Sequence, residues 1–340
     1  MINDFRENCG VLKTIGTVAY ELRSEQEQAV AQTFDYFQSH QNGEFLWNAK
    51  PRFGKTLATY DLCKRLKESK GKMACNILIV TNRPAIANSW YDDFVKFLGT
   101  ESGFRFVSEV SALKGKPYVL TRYEYTDNLS SSGLASCIEF VSLQDLKGSL
   151  YFGGQYDKLK ELVQMQWELL VIDEAHEGVD TSKTDVAFHQ IKRNHTLHLS
   201  GTPFKALAND KFPADAIYNW TYADEQKAKR DWSDVEHNNP YENLPQLNLF
   251  TYQMSEIIRD QLQQGVEIEG ETEEYAFDLN LFFSTKANGS FVYESSVDRF
   301  LNALTTQEKF PFSTPELRAE LCHTFWLLDR VDSAKALAKK

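Results

Sequence analysis

Three short strings in this chain could do chemistry together: AKPRFGKT at Ala49–Thr56, DEAH beginning at Asp173, and SGTP beginning at Ser200. The first ends in Gly54, Lys55 and Thr56. A turn whose backbone N–H groups face a polyphosphate needs a glycine for close approach, a lysine to reach the β and γ oxygens, and a hydroxyl to hold Mg2+. Ala49 stands where that pattern usually has its leading glycine, and Arg52 and Phe53 complete the loop. In the second string, Asp173 suits a carboxylate that holds Mg2+ through water, and Glu174 a base that orients and deprotonates an attacking water. That division of labour fits phosphoryl transfer, where positioning and charge stabilisation do most of the work. ATP and Mg2+ are the expected cofactors, with Lys55, Asp173 and Glu174 catalytic, Ala49, Arg52, Phe53, Gly54, Lys55 and Thr56 around the nucleotide, and Thr56 and Asp173 at the metal.

Taken singly, each string has a plainer meaning. GKT occurs in surface turns, an acidic pair suits a helix N-terminus, and Ser-Gly-Thr-Pro is ordinary turn composition. The elements around them decide the matter. GEFLWNA before the loop is short and apolar enough for a buried strand, and TLATYDLCKRL after it has apolar residues at helical spacing. LLVI before Asp173 is a continuous apolar run, as in a parallel sheet covered on both faces. Its end places the two acids at the carboxyl edge of the sheet, where α/β proteins bind ligands.

The ordered strings resemble superfamily 2 helicases and translocases of the DEAH type. PRFGKT, TNRPAIANSW and the run from SGTPF to IYNWTYADEQKAKRDW are similar to the motor subunits of type I and type III restriction enzymes and related bacterial defence proteins. The resemblance implies an α/β, RecA-like P-loop NTPase fold, a parallel sheet sandwiched by helices, with a partial second domain. It implies an adenine-reading glutamine at Gln26, whose amide can donate and accept at once. It also implies strand contacts at Thr81, Arg83, Ser142 and Gln144, and coupling residues at Ser200 and Thr202. Contacts of that kind fix register on a phosphate backbone without reading bases. The implied reaction is ATP hydrolysis coupled to movement on duplex DNA. Nuclease, methyltransferase or specificity subunits of a restriction complex are the candidate partners. An RNA-dependent helicase and a nucleotide-binding scaffold without turnover stay open beside it.

Composition bounds these readings. The 340 residues have a formal net charge of −11, so any nucleic-acid surface must be a local stripe rather than the whole molecule. The five cysteines show no C-x-x-C pair, which points to a reducing compartment and no structural zinc. His195 and His198 lie close in sequence with no third ligand evident, and are expected to be core or surface histidines. No apolar stretch is long enough to span a bilayer, and MINDFRENCG is not a signal pattern, so the expected location is cytoplasmic, away from any membrane.

The expected organisation is an N-terminal extension over 1–21, a first RecA-like ATP-binding domain over 22–225, a linker with an acidic insertion over 226–312, and the start of a truncated second RecA-like domain over 313–340. That last stretch reads as a helix, a short apolar strand and another helix. It holds nothing like the family's final motif, whose arginines reach the γ-phosphate. The expectation is therefore a motor fragment that hydrolyses ATP poorly by itself.

Overall fold

The computed structural model describes residues 20–99, 101–132, 136–173, 188–202, 211–234, 237–244, 266–268, 271–273, 279–306, 315–316, 325–328 and 330–340. The chain divides into two compact units, Met1–Pro245 and Gln246–Lys340.

In the first unit the strands are β1 (Glu44–Ala49), β2 (Ile77–Thr81), β3 (Phe104–Ser108), β4 (Val119–Leu120), β5 (Ser136–Ser142), β6 (Trp167–Asp173), β7 (Arg193–Ser200) and β8 (Ile217–Trp220). They form one sheet in the order β4-β3-β5-β2-β6-β7-β1-β8, and every ladder in it is parallel. The intervening helices include α1 (Ser24–Ser39), α2 (Lys55–Lys70), α3 (Ala87–Asp93), α4 (Arg122–Ser132), α5 (Leu143–Gly148), α6 (Lys160–Gln164) and α7 (Tyr222–Arg230).

Strand alternation explains the unbroken apolar runs. In β2, Ile77 and Ile79 enter a core with α1, α2 and α3, while Leu78 and Val80 enter a second core with α5 and α6. In β6, Leu169 and Val171 share the first core, and Leu170 and Ile172 the second. Strands β2 and β6 are buried at every position, so neither of their faces carries a polar stripe. This is the α/β architecture read from the sequence, a parallel sheet between helical layers.

The first unit runs beyond residue 225 because the polar segment after α7 folds back on it. Lys229 Nζ donates to the Leu244 carbonyl at 2.9 Å, Asn239 Nδ2 to the Lys229 carbonyl at 3.2 Å, and the Tyr241 hydroxyl to Glu25 at 2.6 Å. Part of the expected linker is therefore fastened to the first unit.

In the second unit, the acidic segment contains a short antiparallel pair, β9 (Val266–Ile268) and β10 (Glu271–Glu273). Phe282, Phe283 and Phe291 pack with Val297 of α8 (Glu294–Thr306) and Ala336 of α9 (Val331–Leu337). The expected apolar strand before α9 does not form within residues 325–328, where Phe325 and Leu327 stand exposed.

Candidate nucleotide-binding site

The loop from Lys50 to Gly54 leaves β1 and enters α2. Ala49 is the last residue of β1 and lies fully buried. Its φ is not positive, unlike Arg52 at +71° and Gly54 at +85°. This explains why alanine serves here: the left-handed positions come later in the loop. These two residues flank Phe53, whose own N–H donates to the Lys50 carbonyl at 3.3 Å and closes the turn. Gly54 is also the N-cap of α2 and supplies no side-chain cap, so the first-turn N–H groups are not satisfied by it. A helix N-terminus of this kind favours phosphate.

Phe53 anchors the loop through its ring, which packs 6.2 Å from both Trp47 and Tyr218 and is fully buried. Only its backbone faces the loop. Gln26 Nε2 donates to the Phe53 carbonyl at 2.7 Å, Arg23 Nη2 donates to the same oxygen at 2.8 Å, and Gln26 Oε1 accepts from the Arg23 N–H at 2.9 Å. Gln26 is thus brought against the phosphate loop, with both ends of its amide holding backbone.

Lys55 Nζ donates to the Ala49 carbonyl at 2.7 Å, which folds the ammonium back across the loop. Thr56 follows it in the first turn of α2, half-buried. Asp173 ends β6 and is buried, and its Oδ2 accepts from the Trp90 indole at 2.9 Å. Glu174 lies outside the described residues. A carboxylate and a hydroxyl are hard oxygen donors of the type Mg2+ takes, and a Cβ on Gly54 would collide with Gln26. The residues present therefore fit a magnesium nucleotide.

The sheet register gathers the remaining candidates at the same carboxyl edge. Thr81 pairs in register with Ser142 on one side and with Asp173 on the other, and Ser200 pairs with Asn48. Thr81 is buried, and its hydroxyl accepts from the Arg83 N–H at 3.1 Å, while the Arg83 side chain is exposed. Ser142 caps α5 by accepting from the Asp145 N–H at 3.0 Å, and Gln144 is exposed on the first turn. Ser200 is buried and accepts from the Thr202 N–H at 3.2 Å, and Thr202 is exposed. A Cβ on Gly201 would stand 3.6 Å from the Ala49 carbonyl and 3.5 Å from Pro51, so Gly201 lies against the phosphate loop.

Sequence reasoning missed the supports of this site. Lys50 ion-pairs with Glu225 of α7, a glutamate only 1% exposed. Arg23 is held by Glu25 at 2.5 Å, and Glu25 by the Tyr241 hydroxyl. Burial, with the hydrogen bond to Glu25, pushes the Tyr241 phenol up to about 12, so it stays a donor at neutral pH. Trp90 behind Asp173 was also missed. None of these residues carries a local pattern. The nearest signal was the capping sequence of α7, where Thr221 accepts from the Asp224 N–H, which marks a helix start but not what the helix grips.

His195 and His198 are both buried, His195 stacked on Phe37 and His198 3.3 Å from Glu44. Among the described residues no group of three or more metal-ligating side chains comes together, and no helix is long and apolar enough to cross a membrane. Cys63, Cys75 and Cys137 are buried free thiols.

The model of the family described as type III restriction enzyme, res subunit, matches residues 19–205, more than half of the chain. This chain belongs to that family. Family membership brings the helicase superfamily's general use of ATP. A restriction relative from Mycoplasma pneumoniae, described as the C-terminus of a type II restriction enzyme and methyltransferase, is 25% identical over 348 residues, covering 87% of this chain and 46% of that protein. This res-family chain thus spans about half the length of the curated relative it matches. Among solved structures, it is similar to a nuclease-deletion mutant of the Type ISP restriction-modification enzyme LlaGI in complex with a DNA substrate mimic. That likeness has a TM-score of 0.46 at 14% identity, over 94% of this chain and 29% of the other. It is also similar to the Sulfolobus solfataricus SWI2/SNF2 ATPase core in complex with dsDNA, with a TM-score of 0.39 at 17% identity over 56% and 34%.

Proposed function

We propose that this chain is the nucleotide-binding part of an ATP-driven motor that moves on duplex DNA in restriction or phage defence. One observation carries the reading: the phosphate loop, the end of β6 and the end of β7 meet at a single sheet edge, with Lys55 across the loop and Gly201 against it. In this reading the N–H groups of the loop and of the first turn of α2 bind the β- and γ-phosphates, and Lys55 exchanges the Ala49 carbonyl for phosphate oxygens. Thr56 and Asp173 hold the metal, and Gln26 reads adenine beside the loop. Mg2+, when bound, supplies charge neutralisation on the phosphate oxygens. Glu174 orients the attacking water and takes its proton.

Duplex DNA is the favoured track because both the family and the Mycoplasma relative are described as restriction enzymes. Thr81, Arg83, Ser142 and Gln144 would meet the strand, and Ser200 and Thr202 would relay the nucleotide state. Thr81 and Ser142 are buried, with hydroxyls that accept from the Arg83 and Asp145 N–H groups, so they also shape the turns that present Arg83 and Gln144.

The test is Mg2+-dependent binding of a fluorescent ATP analogue, followed by ATP hydrolysis with duplex DNA, with RNA of the same sequence, and with neither. Binding that requires Mg2+ and hydrolysis stimulated by duplex DNA are expected. Stimulation by RNA alone would move the assignment to an RNA motor, and absence of nucleotide binding would remove it.

A further inference from the structure

The buried carboxylate at the end of β6 has a donor that the motif chemistry does not assign. Trp90 of α3 is 2% exposed, and its Nε1–H points at Asp173 Oδ2 across 2.9 Å. The indole N–H is a donor only, so this bond has one polarity, and a buried indole needs such a partner. Trp90 is itself fixed from α2. The Tyr60 hydroxyl donates to the Trp90 carbonyl at 2.6 Å, and the two rings meet edge to face at 5.5 Å and 90°. Tyr60 lies in the helix that opens with Lys55 and Thr56. A continuous path therefore runs from the phosphate-loop helix through Tyr60 and Trp90 to Asp173.

We infer that Trp90 is a positioning residue for the metal carboxylate: its N–H fixes the plane of Asp173 relative to α2, so that Asp173 and Thr56 are held in one geometry before Mg2+ arrives. The inference rests on the ATP and Mg2+ reading above. Donors behind a metal-binding group set its orientation, and removing one weakens metal affinity by about ten- to a hundredfold. A tryptophan kept only to fill the core would give a different result, because its ring and not its N–H would matter.

The decisive variant replaces Trp90 with 3-benzothienylalanine, which keeps the fused ring and exchanges N–H for sulfur. Trp90→Phe is the genetically simple companion, and Asp173→Asn the reference. Each 340-residue chain is titrated with a fluorescent non-hydrolysable ATP analogue at fixed Mg2+ concentrations and in EDTA. The expected result is that the Mg2+ concentration for half-maximal binding rises about tenfold or more in the benzothienyl protein, while affinity in EDTA stays at the parent value. An unchanged Mg2+ requirement in the benzothienyl protein would overturn the inference, even if Trp90→Phe fails to fold. A parent chain that binds no nucleotide, or an Asp173→Asn protein with the parent's Mg2+ requirement, would instead overturn the reading of the site itself.

Discussion

Gln26 Nε2 sits 2.7 Å from the Phe53 carbonyl, in the space that a Cβ on Gly54 would need. The loop is thus closed over α1 with no room for a larger residue at its last position.

Gly54→Ala follows directly from that contact. The substitution meets both the left-handed φ of +85° and the Gln26 amide. It is expected to cost more than about 1 kcal/mol of stability and to abolish tight binding of an ATP analogue. Adding Gln26→Ala relieves the collision and not the backbone strain, so the double variant should recover only part of the melting temperature.

Glu225→Ala leaves the Lys50 ammonium without its carboxylate beside the phosphate loop. Removing one partner of a buried pair costs about 3 kcal/mol or more. Lys50 keeps 17% of its side-chain surface in water, so the low end applies. Urea unfolding measures the loss, and Lys50→Met in the same background should return most of it. No recovery would mean that Glu225 acts on α7 alone.

Stability should fall with acid in two separate windows. Burial holds His195 and His198 below the usual 6.5, so the unfolded chain takes up protons at these sites more readily than the native one. Their contribution is complete above that value and is lost as pH drops through it. Glu44 is held down at about 2, chiefly by the hydrogen bond with His198, so its contribution persists until pH falls below about 4.5. Melting temperatures from pH 8 to pH 5 should therefore decline, and His195→Phe should flatten that slope. An unchanged slope in the variant would show that His195 is not the titrating group.

Glu174→Gln should retain Mg2+-dependent nucleotide binding and lose hydrolysis. Lys55→Ala should weaken binding with Mg2+ and without it. Equal turnover by Glu174→Gln and its parent would exclude Glu174 as the base.

The sheet and the loop that joins β1 to α2 were legible because their physics is local. ILIV and LLVI are apolar at every position, which only a strand covered on both faces requires. Gly54, Lys55 and Thr56 are adjacent in the chain and adjacent in the loop. What could not be read arises between distant segments. Trp90 meets Asp173 across 83 positions, Lys50 meets Glu225 across 175, and Tyr241 meets Glu25 across 216. A tryptophan, a glutamate and a tyrosine in polar or amphipathic surroundings carry no periodicity that names such partners. The apolar segment before α9 shows the reverse error, since apolar composition at residues 325–328 did not make a strand.

The place of β1 in the strand order has a consequence for biosynthesis. Among the described residues, the strand that carries the phosphate loop hydrogen-bonds only to β7 and β8. On the ribosome, residues 44–49 wait for their first strand partner until β7 has been made through Ser200, and for the second until β8 has been made through Trp220. Loop closure over such separations is slow. A nascent chain therefore holds an unpaired apolar segment through most of the synthesis of its first unit. A ligand of the proposed nucleotide site would assist folding only after most of that unit has been made, as a late ligand and not as a template.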